Sequence, residues 1–417
     1  MNSRERVRRA INHQEPDRVP VDLAGTRVTG IHSEAYARVR AALGVNSTPV
    51  RIPDLFQMLG QVEMPVLDAL HVDTVPVSLL RGPFSFGMRG DRWKPFRFWW
   101  MPADEPALVP AEFAPDIGRD GSLTLVDATA PAGQDRAEMP PEGWYFDRLN
   151  TTTMSDELQL EDVATLRAGL DRLQDDELDF LRDQAEALHT TTDRALVGEL
   201  MSGSLSAPAG MTFADWMVAL ITEKPYMHEF HQARVEVMIE NLQRYRDAVG
   251  DRIELVLLSG ADYGTQRGEM FSPALFEELF APYYRQINDW VHANTGWKTF
   301  YHSCGSVRDL IEPFIESGAD VLNPVQTSAA KMDPVELQRD FGGRIVFWGG
   351  GIDTQRVLPF GTVDEIRDQV RERVQVFGPG GGFVFNTVHN IQARVPTENI
   401  LALYDAVHEF GGYPLRA

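Results

Sequence analysis

From residue 195 to the C-terminus the sequence repeats one unit: a short apolar, β-branched run followed by an amphipathic helical stretch. The runs are 195–200, 253–260, 298–302, 320–325, 344–348 and 383–387. Helical periodicity fills the gaps at 215–221 with 225–249, 273–294, 307–317, 334–340, 363–377 and 397–410. Strands that are apolar throughout and alternate with helices belong to a parallel sheet covered on both faces. Upstream, 18–25 and 74–79 read as two more strands, although Pro20 and Pro76 weaken a ladder there. A helix over 3–12, stopped by Pro16, another over 32–43, and an amphipathic stretch over 55–70 accompany them. Eight strand–helix units predict an α/β fold, a (β/α)8 TIM barrel. An open doubly wound sheet is the alternative. The barrel is favoured because polar residues follow many strands instead of clustering at one switch point.

Residues 81–153 break the pattern. Proline, glycine and aromatics dominate, among them Trp93, Phe96, Phe98, Trp99, Trp100, Trp144, Tyr145 and Phe146. Alternating segments such as 122–126 predict antiparallel hairpins. This is expected to be a β-rich, aromatic-rich insertion after the second strand, within a single barrel spanning 1–417. Its aromatics suit hairpin packing or a homodimer contact. Acidic helical sequence follows over 156–189.

Composition narrows the function. A formal net charge of −22 argues against nucleic acid, whose phosphates need a basic face. No run approaches the ~20 apolar residues of a membrane span. Residues 1–10 carry arginines with no apolar segment after them, unlike a signal peptide. One cysteine cannot form an internal disulfide, and a cytoplasmic protein is expected.

In a barrel the C-terminal strand ends share one mouth. The residues expected there are Asp22, Glu199, Asp262, Tyr263, Gln266, His302, Cys304, Asn323, Gln326, Asp353, Asn386 and His389. Cys304, the single cysteine, stands two residues after His302, so both side chains project to one side of an extended strand end. His389 reaches the same mouth from the last strand. Thiolate and imidazole suit zinc, and a catalytic zinc keeps three protein ligands and one open position. His302, Cys304 and His389 make such a set. The bland alternative is a buried strand-end thiol with two hydrogen-bonded histidines. Asp262 and Glu199 are candidates for proton transfer or a fourth metal position, with helix capping as their ordinary role. Asp22, Tyr263, Gln266, Asn323, Gln326 and Asn386 are candidates for substrate binding. Gly349-Gly350-Gly351 and Gly380-Gly381-Gly382 lack a phosphate-loop pattern; the first is expected to admit a ligand close to backbone, and the second to form a loop.

Several stretches resemble the uroporphyrinogen decarboxylase-like superfamily: Arg4-Glu5-Arg6-Val7 with 16–21, Asp262-Tyr263-Gly264-Thr265-Gln266 with Ser272-Pro273 and Pro282-Tyr283-Tyr284, and Pro396-Thr397-Glu398-Asn399-Ile400. The resemblance implies a TIM barrel. It is closest to the zinc-dependent corrinoid methyltransferases, which carry a His-x-Cys pair and a third ligand, usually Cys, seven residues before the Pro-Thr-Glu-Asn segment. His302-Ser303-Cys304 supplies the pair, and His389 replaces the usual cysteine. The resemblance therefore implies Zn2+, a corrinoid (cobalamin) carried by a partner protein, and a small O-, N- or S-methyl substrate or thiol acceptor. A methoxylated aromatic is one such substrate. The decarboxylase's Arg-Gln-Ala-Gly-Arg segment is absent; Leu23-Ala24-Gly25-Thr26-Arg27 offers one arginine, which argues against uroporphyrinogen. The alternatives are a metal-free decarboxylase of a smaller acid and a non-catalytic barrel.

Overall fold

In the computed structural model, residues 1–45, 49–81, 92–101, 105–126, 136–148, 155 and 157–415 are described. A first barrel strand, β1 (Thr74–Val77), precedes the insertion. The insertion carries β2 (Trp93–Phe96) paired antiparallel with β3 (Ala107–Pro110). It then adds β4 (Asp116–Ile117), β5 (Leu123–Val126), β6 (Arg136–Met139) and β7 (Asp147–Arg148) as an antiparallel four-stranded sheet. The hairpins expected over 81–153 are therefore present; 82–91, 102–104, 127–135 and 149–153 lie outside the described residues. The regular half follows with β8 (Ala195–Glu199), β9 (Leu255–Ser259), β10 (Lys298–His302), β11 (Val321–Asn323), β12 (Val346–Trp348) and β13 (Phe383–Val384).

These strands form one parallel seven-stranded sheet in the order β1-β8-β9-β10-β11-β12-β13. The eighth stave is the 18–25 segment, and it is not the ladder strand the sequence suggests. Only Val21 bridges Phe385. Asp22 N–H donates to Phe385 O, Phe385 N–H to Pro20 O, and Asp73 N–H to Val21 O. The segment thus lies between β13 and the start of β1 and closes the barrel. Pro20 has no N–H to give, and Ala24 at φ +60° turns the chain away. The fold is a TIM-type barrel with its first stave reduced to a few bonds.

Alternation sorts the strand side chains into two layers. Ala195, Val197, Leu255, Leu257, Phe300, Val321, Val346, Trp348 and Val384 pack inside the barrel. Leu196, Val256, Leu258, Tyr301, Leu322 and Phe347 pack outward under the helices. Helix Ser3–Ile11 joins the inner layer through Val7, Ala10 and Ile11, sealing the N-terminal end of the barrel. Asn2 caps this helix by accepting from Glu5 N–H. At that end Asp73, fully buried, accepts from Arg6, from Arg18 and from Val21 N–H.

Some helices differ from their periodicity. The amphipathic 55–70 stretch is helical only over Met64–Ala69, since Met58 takes φ +54° in a turn before it. The 273–294 stretch is two helices, Pro273–Leu279 and Ala281–Asn294, broken at Phe280 ahead of Pro282. Gly349-Gly350-Gly351 does not open a path for a ligand. A Cβ at Gly349 would lie 2.3 Å from Pro324 O, so the glycine admits neighbouring backbone instead. Among the described residues no helix is long and apolar enough to cross a membrane.

The insertion leans on the mouth side of the barrel. Ile52 N–H donates to Leu108 O and Leu108 N–H to Val50 O. Tyr145 OH donates to Gln392 Oε1 at 2.6 Å, and His32 Nε2 meets Trp144 O at 3.1 Å. Its aromatics are used mostly in packing: Phe98 stacks on Trp100, Trp100 on Trp144, and Phe96 meets Phe113 edge-on. Trp99 remains about half exposed.

Candidate metal centre

Inward alternation along β10 delivers the first ligand. Phe300 faces the barrel interior, so His302, two residues on, faces it one layer higher, at the mouth. The strand ends there, and Cys304 follows in the turn, with Gly305 at φ +88°. A Cβ on Gly305 would lie 2.3 Å from Gly264 backbone, so this turn can pack only as glycine. His389 arrives from the loop after β13 and itself adopts φ +69°. One ligand atom from each of His302, Cys304 and His389 lies within 4.8 Å of the others. The thiol sulfur is 3.3 Å from His302 Nε2, and the two imidazoles meet edge to face at 5.0 Å between centroids.

The orientation of His302 is set by its neighbour strand. Asn323 on β11 pairs with His302 in parallel register. Its Nδ2 donates to Trp348 O at 2.8 Å, so its Oδ1 is the atom facing His302 Nδ1, at 2.5 Å. That oxygen can only accept, which puts the His302 proton on Nδ1 and leaves the Nε2 lone pair toward Cys304. His389 is less committed. Its Nδ1 accepts from Asn390 N–H at 2.8 Å, so the neutral ring carries its proton on Nε2. Binding a cation through His389 therefore means breaking that contact or moving that proton.

Electrostatics favour the neutral forms of Cys304 and His389. Burial, then the charge of Asp262, pushes the Cys304 thiol well above its ordinary range. Burial, with His302 beside it, pushes His389 down to about 3. A thiol and an imidazole buried together gain most from a divalent cation, which stabilises the thiolate and needs the imidazole unprotonated. The donor set also fits: in a tetrahedral zinc site adjacent sulfur and nitrogen ligands lie roughly 3.5 Å apart. The 3.3 Å between Cys304 and His302 is near that value, and His389 has to close in somewhat.

Asp262 is the carboxylate next to the trio. Its Oδ1 accepts from Cys304 N–H at 2.8 Å and stands 3.7 Å from His302 Nε2. Its side chain is 48% exposed against 3% for His302, so it borders solvent at the mouth. It caps no helix. Glu199 lies elsewhere: buried at the end of β8, it accepts from Arg27 N–H at 2.6 Å, and burial raises its pKa. Among the described residues no bond joins Glu199 to the trio.

The residues expected to bind substrate divide. Asp22 is fully buried, accepts from Thr74, Gly25 N–H and Trp348 Nε1, and has its pKa raised by burial. It ties three staves together and presents no face at the mouth. Tyr263 is buried as well; its hydroxyl donates to Leu205 O and meets Tyr284 OH. Asn323 is taken up by His302, and Gln326 Oε1 by Gly305 N–H. Gln266 is exposed in the loop after β9. Asn386 donates to Asp22 O, but its buried Oδ1 has no partner. Asp353 caps the turn after β12 through Gln355 and Arg356 N–H.

Sequence reading missed Asn390. Its Oδ1 accepts from Gly30 N–H at 2.5 Å, and its Nδ2 donates to Arg27 O and Gln57 Oε1. It pins the 24–30 loop to the turn that carries His389. Its place directly after a candidate ligand was the one available signal.

Comparison with known proteins agrees with this architecture. Residues 150–410 match the model of the family described as Uroporphyrinogen decarboxylase (URO-D). A uroporphyrinogen decarboxylase of Anaeromyxobacter dehalogenans is 30% identical over 160 residues, covering 36% of this chain and 42% of the relative. One from Thioalkalivibrio sulfidiphilus is 31% identical over 101 residues, covering 24% of this chain and 27% of the relative. The chain thus spans well under half the length of these curated relatives. A solved structure titled as a methyltransferase from Methanosarcina mazei superposes with a TM-score of 0.53 at 15% identity, covering 98% of this chain and 99% of that one. At that identity the likeness speaks for the fold. With the family match extending over more than half of its length, this chain belongs to the uroporphyrinogen decarboxylase family.

Proposed function

We propose that this protein is a zinc-dependent methyltransferase that moves a methyl group between a small O-, N- or S-methyl substrate, or a thiol acceptor, and a corrinoid on a separate protein. The observation that carries this reading is the convergence of His302, Cys304 and His389 from two strand ends within 4.8 Å. Zinc bound there would supply Lewis acidity to the heteroatom that bears the methyl group. The chain's own residues do the rest. Asn323 holds His302 in the tautomer that can ligate. Asp262 keeps the Cys304 turn in place through Oδ1, and its half-exposed carboxylate borders the site where the heteroatom takes up a proton after losing its methyl group. Asn386 Oδ1 is a buried acceptor without a partner among the described residues. The name borne by the Methanosarcina mazei structure is in keeping with this assignment.

A metal-free decarboxylase would need an acid or base free to meet its substrate. Asp22 cannot serve, because its oxygens are committed inside the barrel, which leaves that reading only Asp262. The test is methyl transfer to free reduced cobalamin, followed by its absorbance, across methanol, methylamine, dimethyl sulfide and anisole. Transfer from at least one donor, lost in Cys304→Ala, is the expected result. No transfer from any donor together with none from methylcobalamin to a small thiol, or undiminished transfer in Cys304→Ala, contradicts it.

A further inference from the structure

One cavity of the protein does not include the trio. It measures about 510 Å³ and lies between the insertion, the 49–64 segment, β1 and helix Asp175–Thr191. That is ample for a small organic ligand. One wall is apolar: Leu67, Val75, Phe180 and Leu188. The opposite wall is polar and incompletely paired. Arg51 lies over the Trp93 ring at 5.5 Å, and among the described residues its guanidinium makes no hydrogen bond or ion pair. Among the described residues, the Trp93 Nε1 donor and the Arg27 Nε donor are both buried without a hydrogen-bond partner. Arg27 has Asp54 only at 3.6 Å.

The acidic residues lining the cavity are better satisfied. Glu63 accepts from Arg40 and Tyr36, Asp54 from Gln57 N–H, and Glu199 from Arg27 N–H. Unmet donors therefore outnumber unmet acceptors, of which the Gln184 Oε1 atom is one. A buried donor left unpaired costs free energy that an anionic ligand recovers. Arg51 and Trp93 lie outside residues 150–410, so this wall belongs to the part of the chain that the family match does not reach.

We propose that this cavity is a second ligand site, taking a carboxylate on a ring-sized apolar body. Arg51 grips the carboxylate, with the Trp93 indole N–H as a second donor, and the Leu67–Phe180 side receives the body. None of the cavity's lining residues belongs to the trio, and the proposal does not depend on the methyltransferase assignment.

Calorimetric titration of the full-length chain with benzoate, benzyl alcohol and benzylamine tests it. Benzoate is expected to bind more tightly than both isosteres. Arg51→Gln should weaken benzoate roughly ten- to hundred-fold, as expected for a lost charge-assisted hydrogen bond. Because the Arg51 guanidinium makes no hydrogen bond or ion pair among the described residues, this variant should keep a melting temperature close to that of the wild type. Cys304→Ala should bind benzoate unchanged. Benzylamine or benzyl alcohol binding as tightly as benzoate, no benzoate uptake at millimolar concentration, or an unaffected Arg51→Gln protein would overturn the proposal. Loss of benzoate binding in Cys304→Ala would overturn the separateness of the two sites.

Discussion

Cys304→Ala should leave the protein folded but unable to retain zinc through dialysis against a chelator. The substitution removes the one thiolate donor of a three-residue set, whose other members are imidazoles. Replacing a partner that only orients a ligand typically costs about 10–100-fold in metal affinity. Removing the ligand itself should cost more than about 100-fold. Asn323→Ala provides the graded comparison. It frees the His302 ring from the acceptor that fixes its proton on Nδ1, so it should weaken zinc by that smaller factor and keep the stoichiometry at saturation. Metal content by mass spectrometry and affinity by chelator competition measure both. Equal zinc retention in Cys304→Ala and wild type would mean that the trio is a hydrogen-bonded cluster and nothing more.

Asp73→Ala should have the largest effect on stability and act at the opposite end of the barrel. Asp73 is fully buried and accepts from Arg6 Nη1 at 2.7 Å, from both Arg18 Nη atoms at 2.7 and 2.9 Å, and from Val21 N–H at 2.8 Å. It therefore ties the sealing helix to the one stave that lacks a ladder. Without it Arg18 has no carboxylate partner among those described, and Arg6 keeps only the half-exposed Asp17. Removing one partner of a buried ion pair costs about 3–5 kcal/mol, because the remaining charges stay desolvated. Urea unfolding should show the midpoint falling by that equivalent. A change below about 1 kcal/mol would mean that solvent reaches Arg6 and Arg18 freely, which would contradict the closed first stave.

The regular half of the barrel was legible because each strand is a separate run whose alternation also dictates direction. Phe300 inward implies His302 inward, and the same logic puts Val321 and Asn323 on one side. The role of Asn323 was not legible. It looked like a substrate residue because it ends a strand, but its use is decided by register with β10, which no local pattern encodes. The first stave misled for a related reason. Residues 18–25 have strand composition, yet Pro20 and the turn at Ala24 leave only the Val21–Phe385 bridge to the neighbouring stave. Asn390 joins the His389 turn to a loop about 360 positions earlier, and such closure exists only once the barrel is formed. The polar wall at Arg51 was likewise hidden, since it needs the insertion folded back onto the 49–62 segment.

Whether His302, Cys304 and His389 together hold zinc is read by X-ray absorption at the zinc edge on the purified protein. One sulfur at about 2.3 Å and two imidazole nitrogens at about 2.0–2.1 Å are expected, with a remaining lighter ligand from solvent or Asp262. A zinc shell with no sulfur scatterer, or one with sulfur and a single imidazole, would contradict it.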